Sequence, residues 1–180
     1  MSEVLDRYDG FARIERVAPG GMIALKGDLA DPALTAALLD MLGAPLPQVR
    51  RWTDGAGGRA FWMAPDELLL MVADAPAIMT ALEPALTGVF VTLADVSDMR
   101  AMFRIRGVHS PDVLAKLAPV DFSDLSTGQL RRTRLAQIAA MIWRDGERDW
   151  GLVCFRSVAD YTAALLKTAA RPGGEVGLYR

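Results

Sequence analysis

Reactive side chains are scarce in this sequence. It has one cysteine, Cys154, and one histidine, His109, in 180 residues. A single cysteine excludes an internal disulfide and any multi-cysteine metal site, and its place inside an apolar run reads as a buried core thiol. His109 has no nitrogen or sulfur ligand near it in sequence, so it does not begin a metal site. It sits just before a helix cap, where exposure is expected. Charge of one sign is also lacking: a net charge of −2 gives no electrostatic argument for nucleic acid or an anionic membrane. No apolar run reaches the ~20 residues that span a bilayer, and the stretch Met1–Gly10 is too polar for a signal peptide. By elimination, the expected location is the cytoplasm. What the chain does have is apolar content, 52% of its residues. That is enough for a sizeable core in one domain, or for two small subdomains.

The chain also says nearly the same thing twice. Met22-Ile23-Ala24-Leu25-Lys26 ends at Gly27, and Met102-Phe103-Arg104-Ile105-Arg106 ends at Gly107. Asp31-Pro32 and Ser110-Pro111 then read as paired helix starts. Asp and Ser suit an N-cap, where a side-chain oxygen accepts an orphan backbone N–H, and proline suits the first helical turn. Farther on, Phe61-Trp62-Met63 precedes the turn Ala64-Pro65-Asp66-Glu67, and Met141-Ile142-Trp143 precedes Arg144-Asp145-Gly146-Glu147. Leu68–Val72 and Gly151–Phe155 read as buried strands, with Asp74 and Ser157 opening the closing helices.

Helical spacing of apolar residues predicts helices over 32–42, 75–86, 111–117 and 158–169. The β-rich runs are 22–26, 60–63, 68–73, 88–93, 100–106, 131–143 and 150–155. The resulting β-α-β-β-α-β order, used twice, predicts an α+β fold made of two tandem ferredoxin-like halves forming one compact domain. The expected boundaries are an N-terminal arm over 1–19, closed by the breaker Pro19-Gly20-Gly21, halves over about 20–87 and 88–170, and a C-terminal tail over 171–180. Disorder is the default for both terminal segments.

Few residues offer chemistry. Asp54-Gly55-Ala56-Gly57-Gly58-Arg59 is glycine-rich, but it leads into a strand and lacks the lysine of a phosphate cradle, so it reads as a flexible hairpin loop. Ser97, Ser110, Ser123, Ser126 and Ser157 lie in turn or cap contexts rather than in a nucleophile elbow. No dinucleotide fingerprint is present. Alternation along Arg131-Arg132-Thr133-Arg134 places Arg132 and Arg134 on one strand face and Arg131 on the other. The cluster either grips an anion or an acidic partner, or protects a solvated edge. Asp121, in Pro119-Val120-Asp121-Phe122, either caps a turn or aims a carboxylate into a cleft.

Longer words carry a resemblance. Asp95-Val96-Ser97-Asp98-Met99, Phe103-Arg104-Ile105-Arg106-Gly107 and Leu114-Ala115-Lys116-Leu117 resemble the folate-binding fold of the glycine-cleavage aminomethyltransferase, the T-protein. Leu114–Asp121, Arg132-Thr133-Arg134-Leu135-Ala136-Gln137 and Phe155-Arg156-Ser157 are more similar to the gamma subunit of heterotetrameric sarcosine oxidase. That resemblance implies a non-catalytic subunit of a flavin-dependent complex that demethylates sarcosine to glycine, hydrogen peroxide and a one-carbon unit. It implies large alpha and beta subunits and a small delta subunit as partners. FAD, FMN, NAD and tetrahydrofolate are then expected on those other subunits, with no cofactor assigned to this chain. The T-protein resemblance implies that Asp121 stands at the folate-facing position. Its Ser-His-Met histidine is replaced here by Asp98 and its glycine-rich hairpin by Ala139–Arg144. The chain also stops short of the T-protein's barrel domain, so a folate site built from this chain alone would lack walls. The alternatives are a stand-alone folate-binding aminomethyltransferase-like protein and a homodimeric binding module of the same fold.

Overall fold

A computed structural model describes residues 4–179. Its elements, in chain order, are strands β1 (Val4–Asp9), β2 (Arg13–Val17) and β3 (Gly21–Gly27), helix α1 (Pro32–Leu42), strands β4 (Trp52–Gly55), β5 (Gly58–Ala64) and β6 (Glu67–Val72), and helix α2 (Ala75–Leu82). Strands β7 (Val91–Asp95) and β8 (Arg100–Arg106), helix α3 (Ser110–Ala115), strands β9 (Leu130–Leu135), β10 (Ile138–Gly146) and β11 (Asp149–Phe155), and helix α4 (Ala159–Ala169) complete the chain. Among the described residues no helix is long and apolar enough to cross a membrane. The chain divides into a continuous unit, Pro19–Asp98, and a discontinuous unit made of 1–18 and 99–180.

The continuous unit is a five-stranded antiparallel sheet in the order β4-β5-β6-β3-β7. Strands β3, β5, β6 and β7, with α1 and α2 between them, make the expected β-α-β-β-α-β arrangement, and β4 widens it. Helix α1 forms where the sequence places its signals. Asp31 accepts from the N–H groups of Ala33 and Leu34 at 2.8 and 3.1 Å, and Gly43 closes the helix at φ 70°, donating to the Leu39 carbonyl. Leu34, Leu38 and Leu42 recur on one stripe and are fully buried against Ile23, Leu25, Ala60, Leu68 and Leu70. Each such leucine is worth about 1.5–3 kcal/mol of burial. Asp74 caps α2 in the same way through the Ala77 N–H. The helix ends at Leu82 rather than 86, two residues before Pro84, which cannot donate to the helical ladder.

The discontinuous unit carries a six-stranded antiparallel sheet, β1-β2-β8-β11-β10-β9. Phe103, Ile105, Trp150, Leu152, Val113, Leu114 and Leu166 form its core with α3 and α4. Strands β8, β10 and β11 repeat the positions of β3, β5 and β6. Both repeated hairpins carry a register irregularity just before the turn, at Trp62/Ala64 and at Arg144/Gly146. The slot that β7 fills beside β3 is filled beside β8 by β2, from the other end of the chain.

Two boundaries therefore differ from the sequence expectation. Residues 4–17 of the expected arm form the hairpin β1–β2, with Ala12 and Ile14 each 2% exposed. The Phe11 N–H donates to the Ala170 carbonyl at the end of α4, at 2.9 Å. Strand β7 lies beyond the expected division at 87/88, yet it pairs with β3 of the continuous unit. In both cases a strand's own letters give its pattern but not its neighbour. The tail after 171 is tied down at several points: Lys116 donates to the Gly174 carbonyl, the Leu178 and Tyr179 N–H groups donate to Asp112 Oδ1 at 3.1 and 3.3 Å, and the Tyr179 hydroxyl accepts from the Phe122 N–H at 3.4 Å. Ser110 is not the cap of α3. It lies inside the first turn, and its hydroxyl donates back to the Gly107 carbonyl at 2.8 Å. Ser157 sits in a 3₁₀ turn ahead of α4. The run 131–143 is a hairpin broken at Ala136, which adopts φ 52°.

Candidate functional site

The glycine-rich loop is the tight β4–β5 turn, and it docks on the end of α1. The Gly57 N–H donates to the Leu42 carbonyl at 3.0 Å. A Cβ at Gly55 or Gly57 would stand 2.0 or 1.9 Å from a backbone oxygen of α1. These glycines permit close packing, and the Gly57 amide that a phosphate would need is already engaged.

Asp121 follows α3 and is exposed. Its Oδ1 accepts from the Ser123 N–H at 2.9 Å and from the Ser123 hydroxyl at 2.6 Å. Those bonds hold its carboxyl below the usual carboxylate range, because they favour the charged form. This is the turn-capping geometry that Asp-x-Ser favours. Beside it, Phe122, Ser123, Trp150, Arg144, Pro111 and Tyr179 line part of an open groove of about 470 Å³. Asp121 is not among the lining residues. Within this unit the residues around Asp121 do not fit an enclosed folate site. Ser123→Ala should move the Asp121 titration up toward the ordinary aspartate value, read by NMR. In the wild type, the support Asp121 gives the turn is complete above the unfolded aspartate pKa and fades as pH falls through the lower folded value. An unchanged titration in the variant would contradict the turn role.

Arg131, Arg132 and Arg134 lie on β9, an edge of the sheet. Arg132 and Arg134 are exposed and Arg131 is half-buried, matching the alternation in the sequence. The Arg131 guanidinium donates to the Leu130 carbonyl at 2.8 Å. His109 Nδ1 lies 3.3 Å from Asp112 Oδ2, so the histidine faces the carboxylate that ties the tail. Cys154 is buried beside the Thr162 hydroxyl, and burial pushes its thiol pKa up. Among the described residues no cluster of three or more His, Cys, Asp or Glu is placed to hold a metal.

Sequence reasoning missed the densest charge cluster. On the helix-free face of the discontinuous unit, Arg104 binds Asp145 at 2.5 Å and also pairs with Asp149. Arg106 reaches Glu15 at 2.6 Å and Asp149 at 3.3 Å. Burial alone would lower the Arg104 pKa, but Asp149 and Asp145 outweigh it and hold the guanidinium firmly charged. The ladder ties β2, β8, β10 and β11 together, with two guanidiniums shared among three carboxylates. It is a structural clamp rather than a proton-transfer pair. The alternation of Arg104 and Arg106 in a strand was the available signal, but their partners are distant in sequence.

The sarcosine oxidase, gamma subunit family model matches residues 26–171. The chain belongs to the sarcosine oxidase gamma subunit family. The sarcosine oxidase subunit gamma of Corynebacterium sp. (strain U-96) is 31% identical over 144 residues, covering 79% of this chain and 69% of that protein. A chain of the heterotetrameric sarcosine oxidase from Corynebacterium sp. U-96, solved in complex with pyrrole 2-carboxylate, superposes with a TM-score of 0.81. It is 28% identical, and the match covers 88% of this chain and 83% of that one. The glycine cleavage system aminomethyltransferase T from Bartonella henselae shares the fold at a TM-score of 0.66 and 18% identity. That match covers 87% of this chain and 45% of the other.

Proposed function

We propose that this chain is a non-catalytic gamma subunit of a flavin-dependent sarcosine oxidase complex. It supports the oxidative demethylation of sarcosine to glycine, hydrogen peroxide and a one-carbon unit. The observation that carries this reading is the match, over 88% of the chain, to a subunit of a heterotetrameric sarcosine oxidase. The arrangement of the side chains supports it. Asp121 closes a turn, Cys154 is buried and held as a thiol, and the charged ladder is paired on itself. Alpha, beta and delta subunits are the proposed partners, and FAD, FMN, NAD and tetrahydrofolate belong on them. Hydride acceptance is the flavin's chemistry, and this chain's part is to pack and stabilise.

Co-expression with the large flavoprotein subunits should yield a complex of heterotetrameric mass on size exclusion with light scattering. The isolated chain should not oxidise sarcosine. Tetrahydrofolate should leave its thermal midpoint unchanged, because a ligand of the folded state alone would raise it. Persistent separation from the large subunits, turnover by the lone chain, or a folate-induced rise abolished by Asp121→Ala would overturn the reading.

A further inference from the structure

Residues 19–98 carry ten Asp and Glu side chains but only four cations, Lys26, Arg50, Arg51 and Arg59. Lys26 pairs with Asp66 at 3.3 Å and Arg59 with Asp54 at 3.1 Å. Arg50 and Arg51 are exposed, and among the described residues neither side chain has a hydrogen bond or an ion pair. The nearest carboxylates along the sheet do not serve them. Asp66 is bonded to Lys26, and Glu67 stands in register with that same lysine.

The turn that carries this pair is tied to the sheet. Pro47 is buried and Leu46 packs on the core. The Arg51 N–H donates to the Gln48 carbonyl at 3.0 Å, and the Trp62 N–H donates to the Arg51 carbonyl at 3.1 Å. Arg50, third of the four turn residues, takes φ 59°. A turn with positive φ at that position favours glycine or asparagine, because a larger side chain strains the backbone there. An arginine stands in the glycine place, and no group among the described residues receives its guanidinium. Strain held by a well-tied segment points to function. Val49, beside it, is 64% exposed.

These features are those of an interface anchor. Arginine is enriched among the residues that carry binding energy, and its planar fork matches a carboxylate. A turn already in its bound shape loses little freedom on docking. The acidity of the rest of the unit opposes a long polyanion such as nucleic acid or an anionic membrane, whereas a local carboxylate meets only the turn. We propose that the turn Gln48–Arg51 docks Val49 into an apolar recess of a large subunit, with Arg50 and Arg51 on carboxylates at its rim. This rests on the gamma-subunit reading and adds the surface and the chemistry of its partner.

The test is made in the co-expressed complex. Arg50→Gly relieves the turn, so the thermal midpoint of the isolated chain should hold or rise. Retention by the large subunits should nevertheless fall roughly tenfold or more, as loss of an interface anchor does. A residue that served only the fold would not separate these two readouts. Arg51→Glu should give a similar loss at an unchanged midpoint. Arg171→Glu, the same charge change at an exposed residue of the other unit, should be retained like wild type. If wild type assembles and both turn variants assemble equally well, this surface is wrong while the subunit assignment stands. Equal loss with Arg171→Glu, or a lowered midpoint for Arg50→Gly, also overturns it. Failure of wild type to assemble overturns both. Capture of wild type by heparin that Arg51→Glu abolishes, with assembly intact, would replace the carboxylate partner with a polyanion.

Discussion

Removal of residues 1–18 is expected to abolish cooperative folding of the discontinuous unit, seen as loss of soluble yield and of a thermal transition by circular dichroism. The segment reads as an arm in sequence but supplies two strands of the sheet. Ile14 and Val17 are 2% and 4% exposed, and together they carry roughly 3–6 kcal/mol of burial. Domain stability is only ~5–15 kcal/mol, so this loss is a large share of it. Truncation also strips β8 of its neighbour, removes Glu15 from Arg106, and takes away the hairpin tied to the end of α4. An unaltered transition in the truncated protein would show that β2 is not integral to the sheet.

Arg104→Met should cost about 3–5 kcal/mol, the usual consequence of taking one partner from a buried ion cluster. The side chains of Arg104 and Asp145 are only 11% and 10% exposed, and Asp149 is 30% exposed. Without the guanidinium, these two carboxylates lose the cation between them. A second change, Asp145→Asn, should recover part of the loss, because the two residues form one coupled network. Urea unfolding of wild type, both single variants and the double variant measures this. A loss below about 1 kcal/mol for Arg104→Met is what an exposed surface pair would give, and would show that the ladder is not a clamp.

These two expectations mark where the sequence was legible and where it was not. Local chemistry was readable. Asp31-Pro32 and Asp74 cap the helices they announce, and Trp62 and Trp143 fall in matching strands. Asp121 takes up the turn that Asp-x-Ser favours. Helix stripes were readable for the same reason, since a period of 3.6 is written in neighbouring letters. Pairing between distant segments was not. Arg13-Ile14-Glu15-Arg16-Val17 alternates as a strand should, yet nothing in it names Ile105 as the residue opposite Ile14. β7 was visible as an apolar run, but its place beside β3 was not. The hairpin at Ala136 carries no glycine, proline or asparagine to mark its turn, and β4 is too short for periodicity to register. The charge ladder was hidden most fully, since its members come from four strands.

The strand exchange has a consequence for how the protein is made. Glu15 and Arg106 are 91 residues apart in sequence, and the whole continuous unit is inserted between them. On the ribosome, the first hairpin emerges long before the strand it must join, whereas residues 19–98 can close their own sheet as soon as they are clear. Synthesis from the N-terminus therefore produces an early piece that waits, and long-range closures of this kind slow folding and leave unpaired edges exposed meanwhile. Helix α4, made after the continuous unit, also secures the turn made before it.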